Sequence, residues 1–491
     1  MNIELFLLFR SASFSMPLKT VFITIKEKQD GGTHSFAKRG WHRADVRILK
    51  RQKGTKEMKT VIVGGASISW IPIFTQDFCK CEEMRGATLV LHDINVPQME
   101  FLKVFIEKVM EEKQHYFTVE IEPELDRALE GADIVICNVL VGGQQAWVKE
   151  IEYLRDMGIA HPKGMSVGPG GMMMGLKQIP YMLSLCEKME RICPNAWLLN
   201  YSNPMQCITL AAQRYSKLKV IGLCHGVMHS LEKYCEYLGV KRSDVTVKVG
   251  GVNHFELILE MKKDGKDMLP ALAEAMDRHQ NDGDPEFEDL TTREMYRIYG
   301  ALPTNHDIHS IEFYPHFLKR WCDLKKYRLE QNDVNKRIED QNARREKVQR
   351  YIDGKCPLTD VVKVRHTEML DKIIHAIVAN DPMVLVANVT NNGSISNLPP
   401  DACVGVNVVL ERDGYTPCNT GAVPAGLDAL QYTQCVIQNF IVNAAVTGDR
   451  HELMKAMTLD PMCYDLSYEE RKKMIDDLLE ISKEYLPAFF K

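Results

Sequence analysis

From Lys59 onward, short apolar runs alternate with longer stretches in which apolar residues recur every three or four positions. The runs KTVIVGG, ATLVLHDI, FTVEIE, DIVICNVL, AWLLNYSNP and KVIGLCHG are rich in Val, Ile and Leu and end in turn residues. Such runs predict short strands buried on both faces. Between them the pattern predicts helices over roughly 70–84 and 97–114, a short one at ELDRALEG, and two more over 175–192 and 205–215. Six β/α alternations of this kind predict an α/β fold, a Rossmann-like doubly wound parallel sheet, over 58–226. GPGGMMMG (168–175) reads as a lid-like loop, with glycines that permit movement and methionines that pack on a ligand.

After Gly226 the texture changes. VTVKVGGVNHFELILEM predicts strand, turn and strand, and amphipathic helices are predicted over roughly 291–299, 317–352 and 359–380. The charged stretch 325–350 reads as a solvated or oligomer-flanking helix face. MVLVANVTNNGSISNLPPDACVGVNVVL predicts further β structure before the C-terminal helices. The 227–491 stretch is therefore expected to be a mixed α+β, largely helical C-terminal domain. Residues 1–57 are rich in Lys, Arg, Ser, Gly and Thr, show no sustained period, and predict a poorly ordered extension.

Composition narrows the functional classes. At 491 residues and 45% hydrophobic, the chain can bury large cores in more than one domain. A net charge of −5 offers no basic field to nucleic acid. No apolar run approaches the ~18 residues that cross a membrane, so no membrane partner is expected. The 14 cysteines show no framework spacing and no export signal precedes them, which fits reduced thiols in a cytoplasmic protein.

The first strand-to-helix passage, VIVGGASISW, holds part of a dinucleotide fingerprint. Gly64 supplies the tight turn and Gly65 adds backbone freedom, while Ala66 and Ser69 stand where the second and third glycines usually are. The helix start offers N–H groups and a positive dipole end to a pyrophosphate, and Ser67 can donate a further bond. Asp93 ends the second strand, where a carboxylate takes both hydroxyls of a ribose and favours NAD over its 2′-phosphorylated form. Asn138 and Asn200 end the fourth and fifth strands and are expected to line the same crevice.

In NYSNPM, Asn203 can aim its amide into the cleft, or serve with Pro204 as an ordinary strand-to-helix turn, or do both. Cys224 ends the sixth strand, and His254 occupies the turn of GGVNHF. Separately they read as a buried thiol and a turn histidine. Together they form a candidate two-ligand site for a catalytic divalent cation with positions left open.

Taken in order, VIVGGASIS, LHDI, SVGPGGMMMGLKQIP, NYSNPM, GLCHG, GGVNHF, YGALPTNHDIHSIEF and VANVTNNGSISNLP resemble glycoside hydrolase family 4 over roughly 58–480. These are NAD- and divalent-metal-dependent glycosidases, and the expected architecture is lactate/malate dehydrogenase-like. The resemblance implies a cation, usually Mn²⁺, held by Cys224 and His254, with Asn203 on the substrate. His225 stands where members acting on 6-phosphorylated sugars carry an acidic aspartate. His309 stands near their tyrosine base, with Tyr299 and Tyr314 as alternatives. Both departures fit the branch that cleaves non-phosphorylated α-galactosides, α-glucosides or α-hexuronides.

That chemistry accounts for a redox site where glycosidases normally carry two carboxylates. NAD would take a hydride from sugar carbon 3, which acidifies the proton on carbon 2. The metal would polarise the sugar oxygens. His309 would remove the carbon-2 proton as base, and His225 would assist the leaving group as acid. Water would add and the hydride would return. Glu312, three residues after His309, is expected to orient a histidine or bind a sugar hydroxyl. The expected partners are a small carbohydrate and further copies of the chain, as a homodimer or homotetramer. A 2-hydroxy acid dehydrogenase would need an arginine clamp that VLVGGQQAW lacks. A non-catalytic NAD sensor would not need the Cys224–His254 pair.

Overall fold

Six of the apolar runs form parallel strands in the computed structural model, which describes residues 57–281, 289–314, 317, 324–362 and 368–490. They are β1 (Lys59–Val63), β2 (Thr88–His92), β3 (Thr118–Ile121), β4 (Ile134–Cys137), β5 (Trp197–Asn200) and β6 (Lys219–Gly222). Their order is β3-β2-β1-β4-β5-β6, the doubly wound arrangement whose ligands bind beyond the carboxyl ends of the strands. Alternate side chains enter two separate cores. Ile62, Leu89, Leu91, Ile136, Leu199 and Ile221 pack on one face. Val61, Val63, Val90, Val135, Leu198 and Val220 pack on the other. Burial on both faces explains why these strands read as continuous apolar runs.

The sheet continues past β6. The later strands are β7 (Thr246–Gly251), β8 (Leu257–Lys263), β9 (Lys266–Asp267), β10 (Leu302–Pro303), β11 (Met383–Thr390), β12 (Cys403–Glu411) and β13 (Gly414–Pro417). β11 lies antiparallel to β6, with Asn388 opposite Gly222, and β12, β7, β8 and β10 follow in that order. A single sheet thus runs through both the 58–226 and the 227–491 stretches, and it brings the β7–β8 turn into line with the end of β6.

Several predicted helices differ in extent. The 70–84 helix is Ile71–Phe78 followed by a 3₁₀ turn at Glu82–Met84. In the predicted 317–352 helix the described helical part is Val334–Ile352, and residues 318–323 lie outside the described residues. The 359–380 helix is broken into Leu358–Val361, Leu370–His375 and Ala376–Asn380. The expected N-terminal extension lies outside the described residues up to residue 56.

Two segments overturn expectation. Gly143–Asp156 is a helix that the apolar pattern does not predict. Its inward face carries Trp147, Ile151 and Leu154 but also Glu150, whose buried carboxylate meets Lys177 at 2.6 Å. A charge on the core face masks the helical period. GPGGMMMG is not a lid: the helix Gly168–Ile192 begins there, and residues 168–178 are all buried in it. Pro169 suits the first turn, and the Gly168 N–H donates to Asp460 Oδ2 at 3.0 Å. Packing against the segment before it outweighs the low helix propensity of glycine.

Candidate active site

The cofactor-type turn lies at the carboxyl end of β1. Gly64 has φ +101°, and the N–H groups of Gly64 and Gly65 both donate to the His92 carbonyl, at 3.0 and 2.9 Å. A Cβ on Gly64 would fall 1.9 Å from the amide of Asn138. With its nitrogen turned toward the strand, that amide donates to the Gly64 carbonyl at 2.9 Å and the Val63 carbonyl at 3.2 Å. Asn138 therefore braces the turn itself. Asp93 is fixed beside it, with Oδ2 accepting the Ala66 N–H at 3.2 Å and Oδ1 the Asn95 N–H at 3.0 Å. Ser67 Oγ accepts the Trp70 N–H at 3.3 Å, and its hydroxyl proton can still be donated.

Asn200 is a correction. Its amide is fully buried and spent within its own turn, accepting the Ser202 N–H at 2.9 Å and donating to Thr209 Oγ1 at 3.1 Å. It shapes the loop and does not line the crevice with its side chain. Asn203, at the tip of the same loop, keeps a buried Oδ1 with no hydrogen-bond partner among the described residues.

Beyond β6 a polar network ties the end of that strand to the β7–β8 turn. Cys224 Sγ accepts the Gly226 N–H at 3.4 Å and lies 3.7 Å from Asn305 Oδ1. The glycine of GLCHG is required there, because a Cβ on Gly226 would fall 1.6 Å from that same amide oxygen. Asn305 donates to Glu256 Oε2 at 2.6 Å, and Asn253 donates to Glu256 Oε1 at 3.2 Å. Burial raises Glu256 to about 7 against those hydrogen bonds, which favour its charged form. Burial likewise pushes the Cys224 thiol up to about 12, with Glu256 adding to the rise and a hydrogen bond from Asn253 opposing it. The residue after Asn253 is His254.

His254 sits at φ +64° with its Nδ1 2.7 Å from Ser166 Oγ. Its ring lies against that of His309, centroid to centroid 4.2 Å. Burial holds His254 down to about 3, with His225 and Lys163 contributing, and burial and His254 hold His309 well below the usual imidazole range. Both rings are neutral at pH 7. His225 is half-exposed on the other side, 3.4 Å from Glu368 Oε1 and edge-on to Trp70. Burial, reinforced by Asp77, raises the Glu368 carboxyl to about 8, and its Oε2 has no partner among the described residues.

Among the described residues no group of three or more His, Cys, Asp and Glu side chains is gathered to hold a metal. The chain thus offers two donors, a thiol and the Nε2 of an imidazole whose Nδ1 is engaged. The orphaned Oδ1 of Asn253 lies on the turn that carries His254, and that of Asn203 lies on the loop after β5. This donor set fits a divalent cation that takes its remaining ligands from substrate and water.

Of the two roles expected for Glu312, it orients a histidine, His161, and its expected contact with a sugar hydroxyl is the second correction. Glu312 is 1% exposed, and its Oε1 accepts the N–H groups of Lys163 and Gly164, both at 2.9 Å, and meets His161 Nδ1 at 3.2 Å. It holds the 161–164 strap and is not placed for a sugar. Glu312→Ala leaves two buried N–H groups without their acceptor and is expected to cost about 3 kcal/mol in urea unfolding. An unchanged midpoint would remove the bracing role. Tyr299 packs on Gly426, where a Cβ would fall 2.9 Å from its ring, and Tyr314 is buried against Phe255; the ring laid against His254 is that of His309.

Ser166, Asn253, Glu256, Asn305, Lys163 and Glu368 were not singled out from the sequence. The asparagines of GGVNHF and PTNHD are the only signal that could have found any of them.

A sheet of this order, with a glycine turn after its first strand and an acid after its second, is the frame of dinucleotide-dependent enzymes. The chain belongs to the family 4 glycosyl hydrolases: the family model matches residues 59–240, and the model of the family's C-terminal domain matches residues 249–463. It is 29% identical over 435 residues to an α-galactosidase of Bacillus subtilis, covering 88% of this chain and 99% of that one. It is 26% identical over 457 residues to an α-galacturonidase of Lachnoclostridium phytofermentans, covering 88% and 97%. The structure of a 6-phospho-α-glucosidase from gut microorganisms, in complex with NAD and Mn²⁺, superposes with a TM-score of 0.73 at 21% identity, over 88% of this chain and 99% of that one. The enzyme is thus a glycosidase. Among the described residues no helix is long and apolar enough to cross a membrane.

Proposed function

We propose that this glycosidase cleaves α-linked, non-phosphorylated hexosides or hexuronides of the galactose type, using NAD and a divalent cation such as Mn²⁺. The observation that carries the proposal is the network that ties Cys224, through Asn305, Glu256 and Asn253, to the turn holding His254, with the ring of His309 packed on it. The named activities of the α-galactosidase and α-galacturonidase relatives support the sugar class. The NAD and Mn²⁺ bound by the 6-phospho-α-glucosidase support the cofactors.

On this reading Gly64, Gly65 and Ser67 receive the pyrophosphate, Asp93 takes the ribose hydroxyls, and Asn138 holds the turn in shape. Ile94, 97% exposed beside Asp93, offers apolar surface to the adenine. Cys224 and His254 hold the cation, and Asn203 contacts a sugar hydroxyl through its free Oδ1. When bound, NAD supplies a hydride acceptor and donor at carbon 3, and the cation supplies a Lewis acid for the sugar oxygens. The neutral His309 imidazole accepts the carbon-2 proton. Burial holds His225 down to about 4, so the proton for the departing oxygen comes from the Glu368 carboxyl, raised to about 8, and the neutral His225 imidazole 3.4 Å away relays it. A cavity of about 380 Å³ bordered by Cys224 and Glu368 gives the leaving group room. Tyr299 passes out of the catalytic set. The enzyme works in the cytoplasm as a homodimer or homotetramer.

The test uses an aryl α-galactoside or α-galacturonide deuterated at carbon 2, with NAD and Mn²⁺ under reducing conditions. The expected product has exchanged its label with water, and EDTA abolishes turnover until Mn²⁺ is restored. Full retention of deuterium, or undiminished activity in EDTA with no metal bound, overturns the mechanism.

A further inference from the structure

Lys163 lies on the strap that joins the two halves of the catalytic cluster. Its N–H donates to Glu312 Oε1 at 2.9 Å, one helical turn beyond His309. Its carbonyl accepts from Asn332 Nδ2 at 3.0 Å. Three residues later Ser166 Oγ meets His254 Nδ1 at 2.7 Å. The strap is thereby pinned to the His309 turn at one point and to His254 at another, and the Lys163 side chain starts between them.

Among the described residues its ammonium has no hydrogen-bonded or ion-paired acid, and Glu312 acts on it only at longer range. Glu312 spends its Oε1 on two backbone N–H groups and His161. The neighbouring ionisable side chains are Arg337 and Arg344, which are cationic, besides Glu312. Arg337 is committed to Asn332, through Nε at 2.7 Å, and to the face of Trp147 at 4.3 Å. The strap sets Lys163 between the turn that carries His309 and the Ser166–His254 contact, so its side chain starts beside the catalytic histidines. Burial lowers Lys163 to about 8, which still leaves it mainly charged at pH 7. A partly buried cation with no acidic partner bonded to it is costly unless a ligand brings the opposite charge.

We propose that Lys163 is a specificity-determining residue whose ammonium pairs with an anionic group on the sugar, so that the enzyme prefers acidic glycosides to neutral ones. The inference rests on the glycosidase reading above and deepens it. A carbon-6 carboxylate and a carbon-6 phosphate share the required chemistry. The shorter carboxylate suits a lysine already close to the catalytic histidines, and a hexuronide is the substrate class it selects.

The experiment measures kcat/KM of wild type, Lys163→Met and Lys163→Arg on aryl α-galacturonide, aryl α-galactoside and aryl α-galactoside 6-phosphate, with NAD and Mn²⁺. Calorimetry of galacturonate and of NAD accompanies it. In wild type the galacturonide is expected to be the best of the three. In Lys163→Met the ratio of galacturonide to galactoside kcat/KM falls on the order of 10²-fold, and galacturonate affinity falls with it. Lys163→Arg restores at least a tenth of the ratio. A ratio within threefold of wild type in Lys163→Met overturns the proposal, as does a wild type that prefers the neutral sugar. A loss of NAD affinity in Lys163→Met assigns the charge to the pyrophosphate and overturns it too. Best turnover of the 6-phosphate, with the same dependence on Lys163, keeps the anion pairing and replaces the carboxylate. No cleavage of any of the three by wild type is failure of the glycoside reading itself.

Discussion

Cys224→Ser is expected to lower kcat/KM for glycoside cleavage on the order of 10³-fold while NAD affinity and thermal stability stay near wild type. A Lewis acid on the sugar oxygens is worth several kcal/mol of transition-state stabilisation, and about 1.4 kcal/mol corresponds to each factor of ten. Serine is nearly the same size as cysteine, so it can keep the bond that Cys224 accepts from the Gly226 N–H and its place beside Asn305. What it removes is the soft anionic ligand, because a serine hydroxyl does not ionise in the range where a thiol does. The Gly64 turn lies at the end of a different strand and is braced by Asn138 and the His92 carbonyl, so it is not affected. The measurement is steady-state cleavage with saturating Mn²⁺ and NAD, alongside calorimetry of each. Activity within tenfold of wild type, with no loss of Mn²⁺ affinity, would show that the cation is held elsewhere.

The parts of this enzyme that were legible in the sequence are those decided locally. The six parallel strands are visible because each is buried on both faces and must be apolar throughout, as Val61 to Val63 and Leu198 to Leu199 show. Gly64 and Asp93 are visible because the turn and the strand end impose residue types at fixed offsets. Cys224 and His254 were candidates for one site because each stands in a turn that follows an apolar strand run. What was hidden is settled across long separations. Asn305 reaches Glu256 over 49 residues, and Glu312 reaches the 161–164 strap over 148 to 151. No local period records such a partner: Glu312 was expected to orient a histidine or bind a sugar hydroxyl, and it does the first, at His161, while its other bonds go to backbone. Asn200 was misplaced for a related reason: a strand-end amide can turn outward to a ligand or inward to its own loop, and Thr209, nine residues on, decides it. The helix start at Gly168 was hidden because glycine carries no helical signal of its own; burial against its neighbours supplies it.

His309→Ala is expected to lower kcat by 10² to 10⁴, roughly the worth of a positioned general base, and to abolish loss of deuterium from carbon 2. The base must be neutral at working pH, and His309 meets that condition because burial and the adjacent His254 disfavour a second charge. It must also be held rigidly. Its ring is packed against His254 at 4.2 Å, and the turn that carries it is anchored through Glu312 to the backbone of Lys163 and Gly164. The isotope readout separates this role from a structural one. A variant that is merely misfolded loses exchange and NAD binding together, whereas loss of the base removes exchange and leaves the nucleotide site intact. Added imidazole is expected to restore part of the exchange, because the alanine leaves a ring-sized space beside His254. If exchange in His309→Ala matched wild type, the carbon-2 proton would have to leave through another group and His309 would lose the role of base.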